Sequence, residues 1–358
     1  MRRLLIAGAT GSVGTTALNA IRKGLVDARP SALIAGSSDA LESLGREFGV
    51  PVLKAKGKSR SEISSFIDSS EPDMILNSVS GADGLLYSAL ALEKGIDLAL
   101  SNKETLTMGG KVIKRLAEGR NIYPVDSEHS AIWSLLRENN VERIIITASG
   151  GPFRMREDLS SVTVQEALAH PVWSMGPKIT IDSATMANKG LEVIEASVLF
   201  SLPCERIDVI IHPESVIHSM AVKKDGSVKA FMAVPDMTLP VVTALNGGED
   251  GNAPGIVSPL CLEGRSLHFE SWSPERFPLL KAAYDSLSSG GAYTAAFTAS
   301  DERAVKAFLS GRIPFTGISK LVLETLEHDW SEEPRSIEEI MEVRRKAEEL
   351  CSSLLSSC

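Results

Sequence analysis

The sequence predicts an α/β fold over its first 150 residues, followed by a central α+β region and an all-helical C-terminal end. Three observations carry this expectation. Short apolar runs alternate with helix-like stretches from residue 4 onward, the pattern of a parallel sheet with crossover helices. Three β-rich segments lie between residues 207 and 234, the last two separated by the hairpin turn Asp225-Gly226. Near the end, Ser336 and Glu339 have capping-box spacing, and Ile340, Val343, Ala347, Leu350 and Leu354 recur at helical intervals.

The apolar runs are Leu4–Ala7, Ala32–Ala35, Asp73–Leu76, Ile96–Leu100, Ile122–Val125 and Ile144–Thr147, and all six read as strands of one parallel sheet. Ligands of such sheets collect beyond the carboxyl ends of the strands. The residues there are small and polar: Gly8-Ala9-Thr10-Gly11, Gly36-Ser37-Ser38, Asn77-Ser78, Ser101-Asn102-Lys103-Glu104, Asp126-Ser127-Glu128-His129 and Ser149-Gly150-Gly151. A Pro- and Gly-rich passage runs from Gly150 to Pro177, and a helix is expected from about Ala184 to Phe200. Strands are expected at Ile207–Ile211, Val216–Val222 and Val228–Val234, and Gly247 to Pro274 reads as a linker before the helical end. There is no internal repeat and no low-complexity segment.

At 358 residues and 43% hydrophobic content, the chain exceeds what one core organises, so two or three domains are expected. A formal charge of −9 argues against a nucleic-acid partner, which demands a basic face. Cys204, Cys261, Cys351 and Cys358 lack the spacings of a disulfide framework or zinc site and read as reduced cytoplasmic thiols. Thr10 and Gly11 cut the first apolar run too short for a signal peptide, and no run reaches the roughly 18 apolar residues of a membrane span. A soluble cytoplasmic protein is expected.

Gly8, Gly11 and Gly14 follow the first strand and open a helix, a G-x-x-G-x-x-G variant of the Rossmann fingerprint. Backbone amides and the helix dipole can meet a pyrophosphate there, although glycines also serve tight turns. An acid after strand two would accept from an NAD ribose; Gly36, Ser37 and Ser38 stand there instead, which favours NADP. Lys54, Lys56, Lys58 and Arg60 form a later basic stretch that either approaches a 2′-phosphate or is solvated surface.

Asp126 and Glu128, two apart at a strand end, would point their carboxylates to one side of an extended chain and offer hard oxygen ligands to Mg2+ or Mn2+. The competing reading is a helix N-cap with a first-turn acid. Glu192, sharing a helical face with Asn188 and Lys189, is a candidate third ligand. Ser149, Ser183, Asn188 and Lys189 are short donors suited to a phosphate. His170, Trp173 and Met175 lie in a segment that Pro171, Gly176 and Pro177 keep irregular, either a lid over substrate or a loop packed on the core.

With these blocks in place a resemblance emerges. Gly-Ala-Thr-Gly-Ser-Val-Gly (8–14), Ser-Asn-Lys-Glu (101–104), Pro-Val-Asp-Ser-Glu-His (124–129), Ala-Ser-Gly-Gly-Pro-Phe (148–153), His-Pro-Val-Trp-Ser-Met-Gly (170–176), Ile-Asp-Ser-Ala-Thr-Met-Ala-Asn-Lys-Gly-Leu-Glu (181–192) and His-Pro-Glu-Ser-Val-Ile-His-Ser-Met (212–220) occur in order. Together they resemble the 1-deoxy-D-xylulose 5-phosphate reductoisomerase family over nearly the whole chain. The resemblance implies a Rossmann-type NADPH-binding domain at 1–126, a catalytic and dimerisation domain at 127–247, a linker at 248–274 and a helical domain at 275–358 of a homodimer. It implies NADPH and a divalent cation (Mg2+, Mn2+ or Co2+) as cofactors, and a phosphorylated keto sugar as substrate.

By the same resemblance Asp126, Glu128 and Glu192 hold the metal, while Ser149, His170, Ser183, Asn188 and Lys189 surround the substrate phosphate. Lys103, Ser127, Trp173 and Met175 face or cover the carbon chain, and His218 stands near the reacting centre. Thr10, Gly11, Ser12, Val13 and Asn102 match positions that touch NADPH. The chain departs from the family pattern at Ser37 and Ser38, where a basic or amide residue is common. It departs again at Phe297–Glu302, where Leu-Asn-Ala-Ala-Asn-Glu is common. Two rivals remain at this stage: a semialdehyde dehydrogenase, which needs a cysteine beside a base that no polar strand end supplies, and a silent NADP-binding regulatory protein, which has no need of the three carboxylates.

Overall fold

A computed structural model describes all residues except 138, 139, 171, 174, 250–253, 357 and 358. The chain forms two compact units. One gathers Met1–Thr105, Ile113–Arg137 and Asp236–Leu260; the other gathers Leu106–Val112, Glu138–Pro235 and Cys261–Cys358.

The first unit alternates strand and helix in chain order: β1 (Arg2–Ala7), α1 (Ser12–Arg22), β2 (Ala28–Ala35), α2 (Ala40–Phe48), β3 (Val52–Lys54), α3 (Arg60–Ser70), β4 (Met74–Asn77), α4 (Gly84–Glu93), β5 (Asp97–Leu100), α5 (Glu104–Leu116), β6 (Ile122–Pro124) and α6 (Ser127–Leu136). Its six strands are all parallel, in the order β3-β2-β1-β4-β5-β6. That is the doubly wound order of dinucleotide-binding sheets, and its direction reverses between β1 and β4. Leu4, Ile6, Leu33, Met74 and Leu76 on one face and Leu5, Ile34 and Ile75 on the other are fully buried, as both faces of a helix-covered parallel sheet require. α4 is apolar nearly all round and buries eight of its residues, so it is an interior helix. A segment from far along the chain, α10 (Thr238–Leu245), adds Val241, Val242 and Leu245 to the same core.

In the second unit β7 (Val141–Ala148), α7 (Val164–Ala167), α8 (Pro177–Thr185), α9 (Ala187–Phe200), β8 (Ile207–Ile211), β9 (Ile217–Lys223) and β10 (Val228–Met232) precede the helices α11 (Pro278–Ser289), α12 (Tyr293–Leu309), α13 (Phe315–Leu326) and α14 (Ile337–Ser356). The sheet order is β10-β9-β7-β8, with β7 and β8 parallel and the other pairs antiparallel. Its helices share a core of Ile181, Ile194, Leu279, Phe297, Phe308, Phe315 and Ile318, in which Phe315 meets Phe153 and Phe308 edge-on at 5.2 and 5.7 Å.

Four sequence expectations change. The run Ile144–Thr147 belongs to β7 of the mixed second sheet, not to the parallel sheet, because Ile144–Ala148 pair with Ile207–Ile211. A sixth parallel strand, β3, is supplied by Val52–Lys54, whose three residues after Pro51 are too few to show a period. The helix expected from Ala184 is two helices, α8 from Pro177 and α9 from Ala187, because Met186 adopts a left-handed conformation (φ 62°) between them. The Ser336 box is half formed: Glu339 N donates to Ser336 Oγ at 3.2 Å, but Glu339 Oε2 accepts from Arg335 N rather than from Ser336.

Candidate active site

At the point where strand order reverses, the turn after β1 is held by donation from Gly8 N and Ala9 N to Ile34 O, at 2.9 and 3.0 Å. Gly8 has φ 87°, and a Cβ placed on it would lie 2.6 Å from the Ser78 carbonyl oxygen at the end of β4. A Cβ on Gly14 would lie 2.3 Å from Gly8 O. Both glycines are therefore required by the close approach of helix, turn and neighbouring strand. Gly11 caps α1 with no side chain bonded to the helix amides, which leaves Ser12, Val13 and Gly14 at an N-terminus able to receive an anion. This cradle fits a dinucleotide pyrophosphate.

Gly36 and Ser37 are exposed and Ser38 partly so at the end of β2. Three of the four basic residues downstream are engaged with acids: Lys54 with Asp39 at 3.4 Å, Lys58 with Glu62 at 2.7 Å and Arg60 with Glu93 at 2.7 Å. These geometries match the solvated-surface reading of that stretch. Asn102 is buried, and its Nδ2 donates to the carbonyls of Val79 and Gly81 at 2.9 Å each, while its Oδ1 accepts from Thr105 N and Oγ1. Its side chain thus shapes the loop after β4.

Asp126 is the N-cap of α6, its Oδ1 accepting from Glu128 N at 3.0 Å and His129 N at 3.2 Å. The helix-cap reading holds here and the extended one does not: β6 ends at Pro124, and Glu128 lies in the first helical turn. The other Asp126 oxygen is ion-paired with the Lys103 ammonium, and both side chains are largely buried. Burial alone would raise the Asp126 carboxyl, but Lys103 and the adjacent His129, whose Nδ1 lies 3.1 Å from Oδ1, hold it well below the usual carboxylate range. Ser127 Oγ bonds Glu128 Oε2. His129 escaped the sequence reading; its spacing from Asp126, three residues along a helix start, was the available clue.

On α9, Glu192 is 1% exposed and receives Asn188 Nδ2 at 2.6 Å and Lys189 Nζ at 2.5 Å on its two oxygens. Among the described residues Asn188 Oδ1 is buried without a hydrogen-bond partner, which leaves an acceptor open beside Glu192. The half-buried carboxylate of Asp126 and the buried one of Glu192, each held by its neighbours, offer the oxygen-donor chemistry that Mg2+ or Mn2+ takes.

Ser149 follows β7, His170 follows α7 and Ser183 lies on α8, and these three side chains meet. His170 Nε2 lies 3.2 Å from Ser149 Oγ and 3.1 Å from Ser183 Oγ. His170 Nδ1 accepts from Val172 N at 3.1 Å and Trp173 N at 2.9 Å, so the ring proton resides on Nε2 and faces the serines. Burial lowers the His170 pKa and keeps the ring neutral. The result is a cluster of neutral donors beside the turn Gly150-Gly151, whose two residues have φ 82° and 71°. Such a cluster suits an oxyanion. The Trp173 ring lies 6.1 Å from the His218 ring, and both Trp173 and Met175 are partly exposed. Pro171 and Ser174, inside the segment read as a lid, lie outside the described residues.

A doubly wound sheet with a glycine-cradled first turn, in a chain that also carries carboxylates suited to a hard cation and a donor cluster suited to an oxyanion, points to the class of dinucleotide-dependent oxidoreductases. Models of the 1-deoxy-D-xylulose 5-phosphate reductoisomerase family match residues 55–110, those of its C-terminal domain match 122–200, and those of the DXP reductoisomerase C-terminal domain match 232–350. A 1-deoxy-D-xylulose 5-phosphate reductoisomerase of Geotalea daltonii is 41% identical over 100% of both chains, and one of Geobacillus sp. is 43% identical over 99% of this chain and 100% of its own. The chain belongs to this family. Among solved structures, the Zymomonas mobilis enzyme in complex with NADPH superposes with a TM-score of 0.89 at 34% identity over 100% of both chains. A DOX-P reductoisomerase in complex with NADPH, fosmidomycin and magnesium superposes with a TM-score of 0.87 at 31% identity, over 99% of this chain and 98% of that one.

Proposed function

We propose that this chain isomerises and reduces 1-deoxy-D-xylulose 5-phosphate to 2-C-methyl-D-erythritol 4-phosphate, using NADPH and a divalent cation, as a step in non-mevalonate isoprenoid precursor synthesis. The observation that carries the reading is the neutral His170 donor set between two serine hydroxyls. An oxyanion receptor of this kind serves a phosphorylated substrate and is superfluous in a protein that only binds NADP.

Asp126, Glu128 and Glu192 are the proposed ligands of one ion of Mg2+, Mn2+ or Co2+. When bound, the ion supplies Lewis-acid polarisation of the substrate's carbonyl and neighbouring hydroxyl, and NADPH supplies the hydride. The chain's own groups do the rest. Lys103 keeps Asp126 ionised and directs its second oxygen, and Asn188 and Lys189 fix both oxygens of Glu192. Ser149, His170 and Ser183, with Asn188 and Lys189, hold the phosphate, whose binding energy orients the reacting carbons. Trp173 and Met175 cover the carbon chain and exclude water, with Ser127 and His218 lining the reacting end. Gly8, Thr10, Gly11, Ser12, Val13 and Gly14 receive the pyrophosphate, and Gly36, Ser37 and Ser38 receive the 2′-phosphate.

Residues 1–126 serve the cofactor, 127–247 serve catalysis and dimerisation, 248–274 connect, and 275–358 form a helical domain. A cytoplasmic homodimer accords with the reading, and among the described residues no helix is long and apolar enough to cross a membrane. NADPH oxidation should occur on mixing the protein with 1-deoxy-D-xylulose 5-phosphate and Mn2+, with kcat/KM higher for NADPH than for NADH. No oxidation with either nucleotide overturns the function; equal values for the two overturn the role given to Ser37 and Ser38.

A further inference from the structure

The turn that presents Ser149 is built from two glycines in left-handed conformation, so its shape must be imposed by what surrounds it. Gly150 is pressed on both sides. A Cβ on it would lie 2.6 Å from Cδ of Arg154 and 3.1 Å from Cγ2 of Ile211. Those two neighbours are joined to each other through a residue far along the chain. Glu270 receives Arg154 Nη1 on its carboxylate, and its backbone forms an antiparallel bridge with Ile211, N to O and O to N at 2.9 Å each. Ile211 in turn is the ladder partner of Ala148, and His212 N donates to Ala148 O at 2.6 Å, directly before Ser149.

The contacts therefore close a ring: Ala148, Ser149, Gly150, Arg154, Glu270, Ile211 and back to Ala148. The segment holding Glu270 is itself fastened. His268 N donates to Glu214 Oε2 at 3.1 Å, His212 Nδ1 lies 3.0 Å from His268 O, and the Phe269 and His212 rings stack at 5.1 Å. Arg276, beyond it, donates to the Phe153 carbonyl, two residues after that turn.

We propose that the Arg154–Glu270 ion pair is a positioning device for the substrate phosphate, locking the Ser149-Gly150-Gly151 turn through residues 268–270. This rests on the reading that Ser149 binds that phosphate. The pair is too exposed to add much stability, since Glu270 keeps 41% of its side-chain surface. Its effect is on geometry. Losing either charge lets Arg154 leave Gly150, and the glycine turn then samples conformations that carry Ser149 off His170.

The test compares Glu270→Gln, Arg154→Met, the double variant and Ser149→Ala in steady-state kinetics with 1-deoxy-D-xylulose 5-phosphate. Gln keeps the Glu270 backbone bridge, and Met keeps an apolar stem over Gly150. Each single variant should raise substrate KM severalfold with kcat, NADPH affinity and melting temperature nearly unchanged. The double variant should match the worse single, because both cut one link. An unchanged KM in Glu270→Gln while Ser149→Ala raises it overturns the proposal and leaves the phosphate site standing; so do additive effects in the double variant. An unchanged KM in Ser149→Ala overturns the phosphate reading itself, and the proposal with it.

Discussion

At the scale of single residues, His170 shows how a backbone decides a protonation state. Two amides donate to its Nδ1, so adding a proton there breaks both bonds, and burial acts in the same direction. Its folded pKa lies below the unfolded value of about 6.5. Above that pH the ring is neutral in both states and costs nothing. Below it the unfolded chain takes up a proton that the folded chain refuses, so stability falls as pH drops toward the folded pKa. A His170→Gln variant lacks this linkage, and its melting temperature should fall less than the parent's between about pH 7.5 and 5.5. Parallel curves would remove the argument.

Trp173 poses a different question, core or cover. Its amide is tied to His170, but its ring is partly exposed beside His218. As a cover for substrate, Trp173→Ala should lower kcat/KM by about tenfold or more, equivalent to ~1.4 kcal/mol of lost transition-state stabilisation, and leave NADPH affinity and melting temperature nearly unchanged. A core tryptophan would instead cost about 3–5 kcal/mol of stability. A large melting loss with intact kinetics identifies the core role.

Among the elements, what the sequence shows and hides follows from period and length. β1, β4 and β5 are short apolar runs bounded by polar residues, and their existence and parallel arrangement are legible. Which sheet a run joins is not legible, because pairing is a long-range fact: β7 reads like the others yet lies beside β8, some sixty residues on. Asp126-Ser127-Glu128 was ambiguous because a strand end and a helix cap favour the same residue types; the backbone after Pro124 decides it. Arg154 and Glu270 were invisible because neither belongs to a motif and their partnership is made by folding. Gly14, by contrast, was readable both as chemistry and as packing. Gly14→Ala sets a Cβ 2.3 Å from Gly8 O and 2.8 Å from Ala9 Cα, backbone atoms that cannot swing aside. It should destabilise the protein by about 1–3 kcal/mol and weaken NADPH binding, read by thermal melting and nucleotide fluorescence titration. Unaltered melting and affinity would mean that the turn is more compliant than its contacts imply.

For the whole molecule, the four-stranded sheet raises the question of assembly. One edge, β8, is partly closed by the bridge from Ile211 to Glu270. The other, β10, pairs among the described residues with β9 alone, and Val228, Lys229 and Ala230 upon it are exposed, Val228 at 53%. An open strand edge presents unpaired amides and carbonyls to any matching strand, and natural sheets cover or blunt such edges. A single lysine is modest protection, and closure by a second copy would satisfy the edge through a two-fold contact, in keeping with the homodimer proposed above. Light scattering after size exclusion should then give about twice the 38.3 kDa of one chain at micromolar concentration. Val228→Pro, which removes a donor from the edge, should shift the equilibrium toward monomer if β10 is the contact. A parent protein that runs as a monomer throughout defeats the homodimer, whereas a dimer indifferent to this substitution places the contact on another face.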